Sequence, residues 1–158
     1  MISLTVAQKE ADKIIELITP CTQKISIAGS IRRGKPFVKD IEICIIPDTS
    51  KLYGLHDILN QLREIKGGSK YQQYVLPSGI TLDLFYATPE NWGLQLAIRT
   101  GSAEFSHHVL ACGWVKKGYH SKSGILYDKD EKPTYIREEK DLFDLLELKW
   151  ITPGDREL

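Results

Sequence analysis

From Asp40 to Ile45 the chain alternates strictly, with isoleucine at 41, 43 and 45 and Asp40, Glu42 and Cys44 between them. A period of two fits a β-strand with one face in a core, because successive side chains leave a strand on opposite sides. The isoleucines claim the core face, so Asp40 and Glu42 share the other. Adjacent carboxylates repel, and a folded chain accepts them on a solvated edge or where a cation lies between them. Ile80 to Phe85 alternates in the same way, with Ile80, Leu82 and Leu84 on one face and Thr81, Asp83 and Phe85 on the other. If the two strands are neighbours, three carboxylates converge. Three carboxylates are hard oxygen donors, which suit Mg²⁺ or Mn²⁺ rather than zinc.

The segment before the acid pair carries the complementary chemistry. Ile25 to Ala28 reads as a strand that runs into Gly29-Ser30-Ile31-Arg32-Arg33-Gly34-Lys35. Gly29 lets a backbone approach a ligand closely. Ser30 can cap a helical turn whose N–H groups favour phosphate. Arg33 offers a planar fork of donors for phosphate oxygens. Between Thr19 and Lys39 there are five basic residues and no acidic one, in a chain whose 21 bases and 21 acids balance. Each piece alone has an ordinary explanation as a turn, a solvated loop or a strand edge. In conjunction they supply what moving a nucleotide from a triphosphate to a hydroxyl requires.

This order of elements resembles the nucleotidyltransferase fold, and within it the X family of DNA polymerases. The family pattern is Gly-Ser-x-Arg-Arg-Gly, then Asp-x-Asp, then an Asp on the following strand. Here it reads Gly29-Ser30-Ile31-Arg32-Arg33-Gly34, Asp40-Ile41-Glu42 and Asp83. Thr100-Gly101-Ser102 with Phe105 is similar to the family's palm–thumb junction. Glu139 to Asp144, then Trp150, Pro153, Asp155 and Arg156, is similar to its C-terminal end. The resemblance implies an α+β fold: a palm over residues 1–88 with a mixed or antiparallel sheet, then a small α+β thumb over 89–158. It implies a DNA-directed DNA polymerase that fills short gaps in repair by two-metal-ion transfer. Asp40, Glu42 and Asp83 would be catalytic and would hold two Mg²⁺ or Mn²⁺ ions. Gly29, Ser30, Arg33 and Lys39 would bind the nucleotide phosphates, and Gly101 would let its sugar approach. The partners implied are a deoxynucleoside triphosphate and primer–template or gapped DNA, and the chain would act as a monomer. The resemblance further implies a cis peptide between Gly101 and Ser102. Larger members carry a lyase domain and a fingers region; about 25 residues precede Ile25, so a minimal palm-plus-thumb form without lyase activity is expected.

The chain departs from the family pattern at several positions. Glu42 stands where an Asp is usual, and the longer side chain suits forgiving Mn²⁺ better than strictly octahedral Mg²⁺. Ile98 and Arg99 replace two aromatics that exclude a ribose 2′-hydroxyl. Ala103 and Ser106 replace base-contacting residues, and Thr81 replaces an Arg. Those positions keep two alternatives open: a template-independent nucleotidyltransferase, and a non-catalytic nucleic-acid-binding scaffold.

Equal numbers of acids and bases argue against an obligate high-affinity DNA binder, since non-specific affinity scales with the phosphates neutralised. Any contact must come from a local patch. Lys116 to Lys122 has no acid, and Lys117, His120 and Lys122 are the DNA-contact candidates; the ordinary explanation is a lysine-rich helix end. There is no long apolar run or signal-peptide pattern. Cys21, Cys44 and Cys112 are widely spaced, so no zinc motif or disulfide framework is indicated. A cytoplasmic or nucleoid-associated setting fits these features.

Periodicity predicts helices over 6–18, 53–62, 89–100, 104–117 and 138–146. It predicts strands over 24–28 and 40–46, a hairpin of 71–76 with 80–86 around Pro77-Ser78-Gly79, and short strands at 125–127 and 134–136. His107 and His108 are adjacent on a predicted helix and would point about 100° apart, one packed and one solvated rather than sharing a metal. Trp92, Trp114 and Trp150 are expected in packing roles. Asp128, Asp130 and Glu131 lack the spacing of a calcium loop and read as a turn.

Overall fold

The computed structural model describes residues 1–158. The chain divides into two units, Met1–Ala87 and Thr88–Leu158, each with its own core. No helix is long and apolar enough to cross a membrane.

The first unit is a mixed five-stranded sheet with helices on its apolar face. Strand β1 (Ile2–Ser3) leads into α1 (Leu4–Ile18), which starts two residues earlier than periodicity suggests because Ser3 Oγ accepts the Val6 N–H at 3.3 Å. Then come β2 (Thr22–Ile27), α2 (Gly29–Arg32), β3 (Phe37–Val38), β4 (Asp40–Pro47), α3 (Leu52–Leu59), β5 (Arg63–Lys66), β6 (Tyr71–Val75) and β7 (Thr81–Tyr86). The sheet order is β2-β4-β7-β6-β5, with β4 and β7 parallel and the other pairs antiparallel. Strand β1 pairs with β3 separately. Ala7, Ala11, Ile14 and Ile18 of α1 and Leu55 and Leu59 of α3 pack against Ile41, Ile43, Ile45, Leu82 and Leu84. Burying each of these isoleucines and leucines contributes roughly 1.5–3 kcal/mol, which fixes the register of β4 and β7 and hence the face their acids share.

The helix predicted to reach residue 62 ends at Leu59, and the chain turns at once into β5, which pairs antiparallel with β6. Its residues are all exposed, so no apolar alternation announced it.

The second unit runs α4 (Trp92–Thr100), α5 (Ala103–Phe105), a π-helical stretch (Ser106–Ala111), α6 (Cys112–Lys116), β8 (His120–Lys122), β9 (Ile125–Tyr127), β10 (Pro133–Thr134) and α7 (Glu139–Leu145). Strands β8, β9 and β10 form an antiparallel sheet. Its core gathers Leu94, Ala97, Phe105, Leu110, Trp114, Leu126, Leu142 and Phe143. Helix α4 lies close to the start of α7: a Cβ on Gly93 would come within 2.2 Å of the Glu138 carbonyl carbon. Arg156 is fully buried, pairs with buried Glu139, donates to the Ile151 carbonyl at 2.9 Å and lies over the rings of Phe143 and Trp150.

Several expectations are corrected here. The Gly101–Ser102 peptide is trans, because no cis bond occurs in the chain. A trans turn already satisfies this corner: Ser102 N–H donates to the Arg156 carbonyl at 3.0 Å, and Ser102 Oγ caps the Phe105 N–H at 3.1 Å. The 104–117 helix is interrupted by the π-helical stretch. His107 and His108 are both exposed and their rings meet edge-on at 4.7 Å between centroids, so neither is packed away. Trp92 and Trp114 are buried as expected, but Trp150 is half exposed and touches Phe143 edge-on. Asp128 Oδ1 accepts the N–H groups of Asp130 and Lys132, both at 2.9 Å, which makes this segment a turn.

Candidate active site

Strand register assembles the carboxylates. Glu42 lies directly opposite Asp83, and Asp40 opposite Thr81, on the parallel strands β4 and β7. Asp40 sits two residues from Glu42 and therefore on the same face. Asp83 is 7% exposed, whereas Asp40 and Glu42 are half-buried. Burial holds the Asp40 carboxyl above the usual carboxylate range, the negative charge of Asp83 pushes it the same way, and exposed Lys39 pulls it back. Asp40 and Asp83 thus feel each other across the sheet. Carboxylates held close at such an energetic cost are a mark of sites that take a cation.

Asp83 is fixed by the strand on its other side. Tyr71 Oη donates to Asp83 Oδ1 at 2.6 Å, and Gln73 Nε2 donates to the same oxygen at 2.8 Å. Tyr71 in turn stacks on Phe85 at 5.0 Å. Sequence reasoning missed both donors. The signal was present in the hairpin centred on Ser78, which pairs residues equidistant from it, Gln73 with Asp83 and Tyr71 with Phe85.

Gly29 sits where β2 gives way to α2, with φ +61. A Cβ there would fall 1.8 Å from Glu42 Oε2, 2.7 Å from Cδ and 3.1 Å from Cβ. Beside the close ligand approach expected of this glycine, the geometry adds a packing reason: the Glu42 carboxylate occupies the space of the missing side chain. Ser30 is half-buried in the first turn of α2, and Arg33 follows its last residue. Gly29, Ser30, Arg33 and Lys39 thus lie in the segment that joins β2 to β4, and Gly29 meets Glu42 directly.

The remaining predicted residues lie in the second unit. Gly101 caps α4, and a Cβ on it would meet Phe105 Cδ1 at 2.7 Å and Ser106 Oγ at 2.9 Å, so packing alone requires a glycine there. Lys117 Nζ pairs with Glu147 at 3.0 Å. His120 contacts Glu131 at 3.2 Å and stacks on Tyr127 at 5.7 Å. Lys122 is exposed on β8. Two of these three thus have an acidic neighbour. Ser106 Oγ donates to the Ile98 carbonyl at 2.7 Å, and Ala103 is exposed with no polar side-chain atom.

The family model described as DNA polymerase beta thumb matches residues 95–157, most of the second unit. No curated protein matches the chain.

Proposed function

We propose that this chain is a metal-dependent DNA nucleotidyltransferase related to the X-family polymerases, with the first unit as its palm and the second as its thumb. The observation that carries the reading is the parallel pairing of β4 with β7, which puts Glu42 opposite Asp83 and Asp40 beside them on one face. The thumb match over residues 95–157 supports the same assignment and, with it, contact with DNA.

The donor set fits divalent ions of hard character, since all three side chains offer carboxylate oxygens and Asp40 carries negative charge that its surroundings leave undercompensated. Bound there, Mg²⁺ or Mn²⁺ would acidify a primer 3′-hydroxyl and neutralise a departing pyrophosphate. Asp83, with one oxygen fixed by Tyr71 and Gln73, presents its other oxygen in a set direction. Asp83 is also the proposed proton acceptor for the hydroxyl. Arg33, Ser30 and Lys39 supply donors and positive charge for a triphosphate beside the acids. Glu42 lies beside Gly29 across the β2–β4 pairing, and its side chain, one methylene longer than that of aspartate, favours the geometrically forgiving Mn²⁺. Rates in Mg²⁺ equal to those in Mn²⁺, unchanged by Glu42→Asp, would contradict that preference.

A second reading has its own observation. Ala103 offers no polar group and Ser106 is turned back to the Ile98 carbonyl, so the thumb's base-reading positions are weak. That favours transfer indifferent to a template. Offering each nucleotide singly opposite each template base at a one-nucleotide gap separates the two. Selective addition of the matched base supports a gap-filling polymerase, and addition at similar rates opposite every base supports the template-independent activity.

A further inference from the structure

His107, His108 and Cys112 lie on one surface of the second unit, and their ligand atoms all fall within 4.8 Å of one another. The backbone explains how they meet. In an α-helix residues five apart diverge by about 140°, which would turn His107 away from Cys112. Here Ser106–Ala111 is π-helical, and Cys112 N–H donates to the His107 carbonyl five residues back. The wider turn brings the fifth residue under the first, a distortion that is rare and often found at functional sites. His107 and His108 then flank Cys112, with both imidazoles exposed and the thiol half-buried. Beside them an open groove of about 280 Å³ is lined by His107, Ala111, Cys112, Val115 and Lys116.

We propose that these three side chains form a Zn²⁺ site, distinct in chemistry from the carboxylates of the first unit. Two imidazoles and a thiolate are a borderline-to-soft set that selects zinc over magnesium or manganese. Typical Zn–N and Zn–S lengths put tetrahedral ligand atoms roughly 3.5 Å apart, so the donors close by about 1 Å through rotation of exposed side chains. Three protein ligands leave the fourth position open to water or an incoming group, facing the groove. Cys112 would bind as the thiolate, so that metal binding releases its proton.

Co²⁺ titration of the full chain tests this without reference to catalysis. One equivalent should produce a thiolate-to-cobalt charge-transfer band that Zn²⁺ removes and millimolar Mg²⁺ does not. Cys21 and Cys44 are buried, so the band reports Cys112, and carboxylate-bound cobalt gives no such band. Cys112→Ser should abolish it. Loss of even an outer-shell partner commonly weakens metal affinity about 10–100-fold, so His107→Gln and His108→Gln should each weaken it by about 100-fold or more. These residues are not in the core, and circular dichroism without metal should be unchanged in all three variants. No charge-transfer band, a band that survives Cys112→Ser, or full affinity after either histidine substitution would overturn the site.

Discussion

Gly29→Ala probes the contact that the structure places at the heart of the first unit. Two costs add. Gly29 has φ +61, and an L-residue in that left-handed region loses about 1–2 kcal/mol. The new methyl group would also fall 1.8 Å from Glu42 Oε2 and 3.1 Å from Glu42 Cβ. The carboxylate can swing aside, but the Cβ is fixed by β4, and overpacking of this kind costs about 1–3 kcal/mol. The sum is about 2–5 kcal/mol. Gly34 is the control: its φ is +73 and a Cβ there meets nothing within 4 Å, so Gly34→Ala carries only the first cost, about 1–2 kcal/mol. Urea unfolding followed by far-ultraviolet circular dichroism measures both. Glu42→Gly in the Gly29→Ala background removes both the carboxylate and that Cβ, and should restore about 1 kcal/mol or more of non-additive stability. Nucleotide transfer by Gly29→Ala should fall even where the protein is folded, since Glu42 is displaced. If Gly29→Ala costs no more than Gly34→Ala, or if the Gly29 and Glu42 effects simply add, the proposed close approach is wrong.

Asp40→Asn should stabilise the metal-free protein at pH 7. The Asp40 carboxyl is held above its ordinary 3.8, so the folded chain binds that proton more tightly than the unfolded chain and stability falls as pH rises through the window above 3.8. The gain over wild type should vanish below about pH 3.8 and reverse when Mn²⁺ stabilises the wild type, as thermal melts across pH would show. Glu139→Gln should cost about 3–5 kcal/mol, because it takes a charge partner from fully buried Arg156, whereas Lys140→Ala at an exposed pair should cost under about 0.5 kcal/mol; parallel denaturant titrations decide. Tyr71→Phe and Gln73→Leu each remove one donor to Asp83 Oδ1 and should slow transfer about 10–100-fold, with single-turnover rates as the readout.

The pairing of acids was legible because alternation was strict on both strands: Ile41, Ile43, Leu82 and Leu84 claim the core, and the acids have only the opposite face. Asp83's supports were not legible from periodicity, because Tyr71 and Gln73 matter through cross-strand register rather than through their own pattern. The packing need for Gly29 was not legible, since no sequence rule states that a carboxylate thirteen residues later will occupy its missing side chain. Exposed β5 and β8 carry no apolar alternation, so tertiary pairing alone makes them strands. The π-helical stretch hides most completely. Leu110 and Trp114 still point into the core at helical spacing, so the apolar pattern reads as one continuous helix while the polar face is rearranged.

The central claim is that the acids of β4 and β7 act together in nucleotide transfer. Its most direct test is extension of a primer bordering a one-nucleotide gap, in Mn²⁺ and in Mg²⁺, by the wild type and by Asp83→Ala. The account predicts Mn²⁺-dependent addition to the 3′-hydroxyl that Asp83→Ala slows by about 100- to 1,000-fold, the kinetic equivalent of several kcal/mol of transition-state stabilisation, while circular dichroism stays unchanged. Extension by folded Asp83→Ala at the wild-type rate, or no extension by the wild type in either metal, would contradict it.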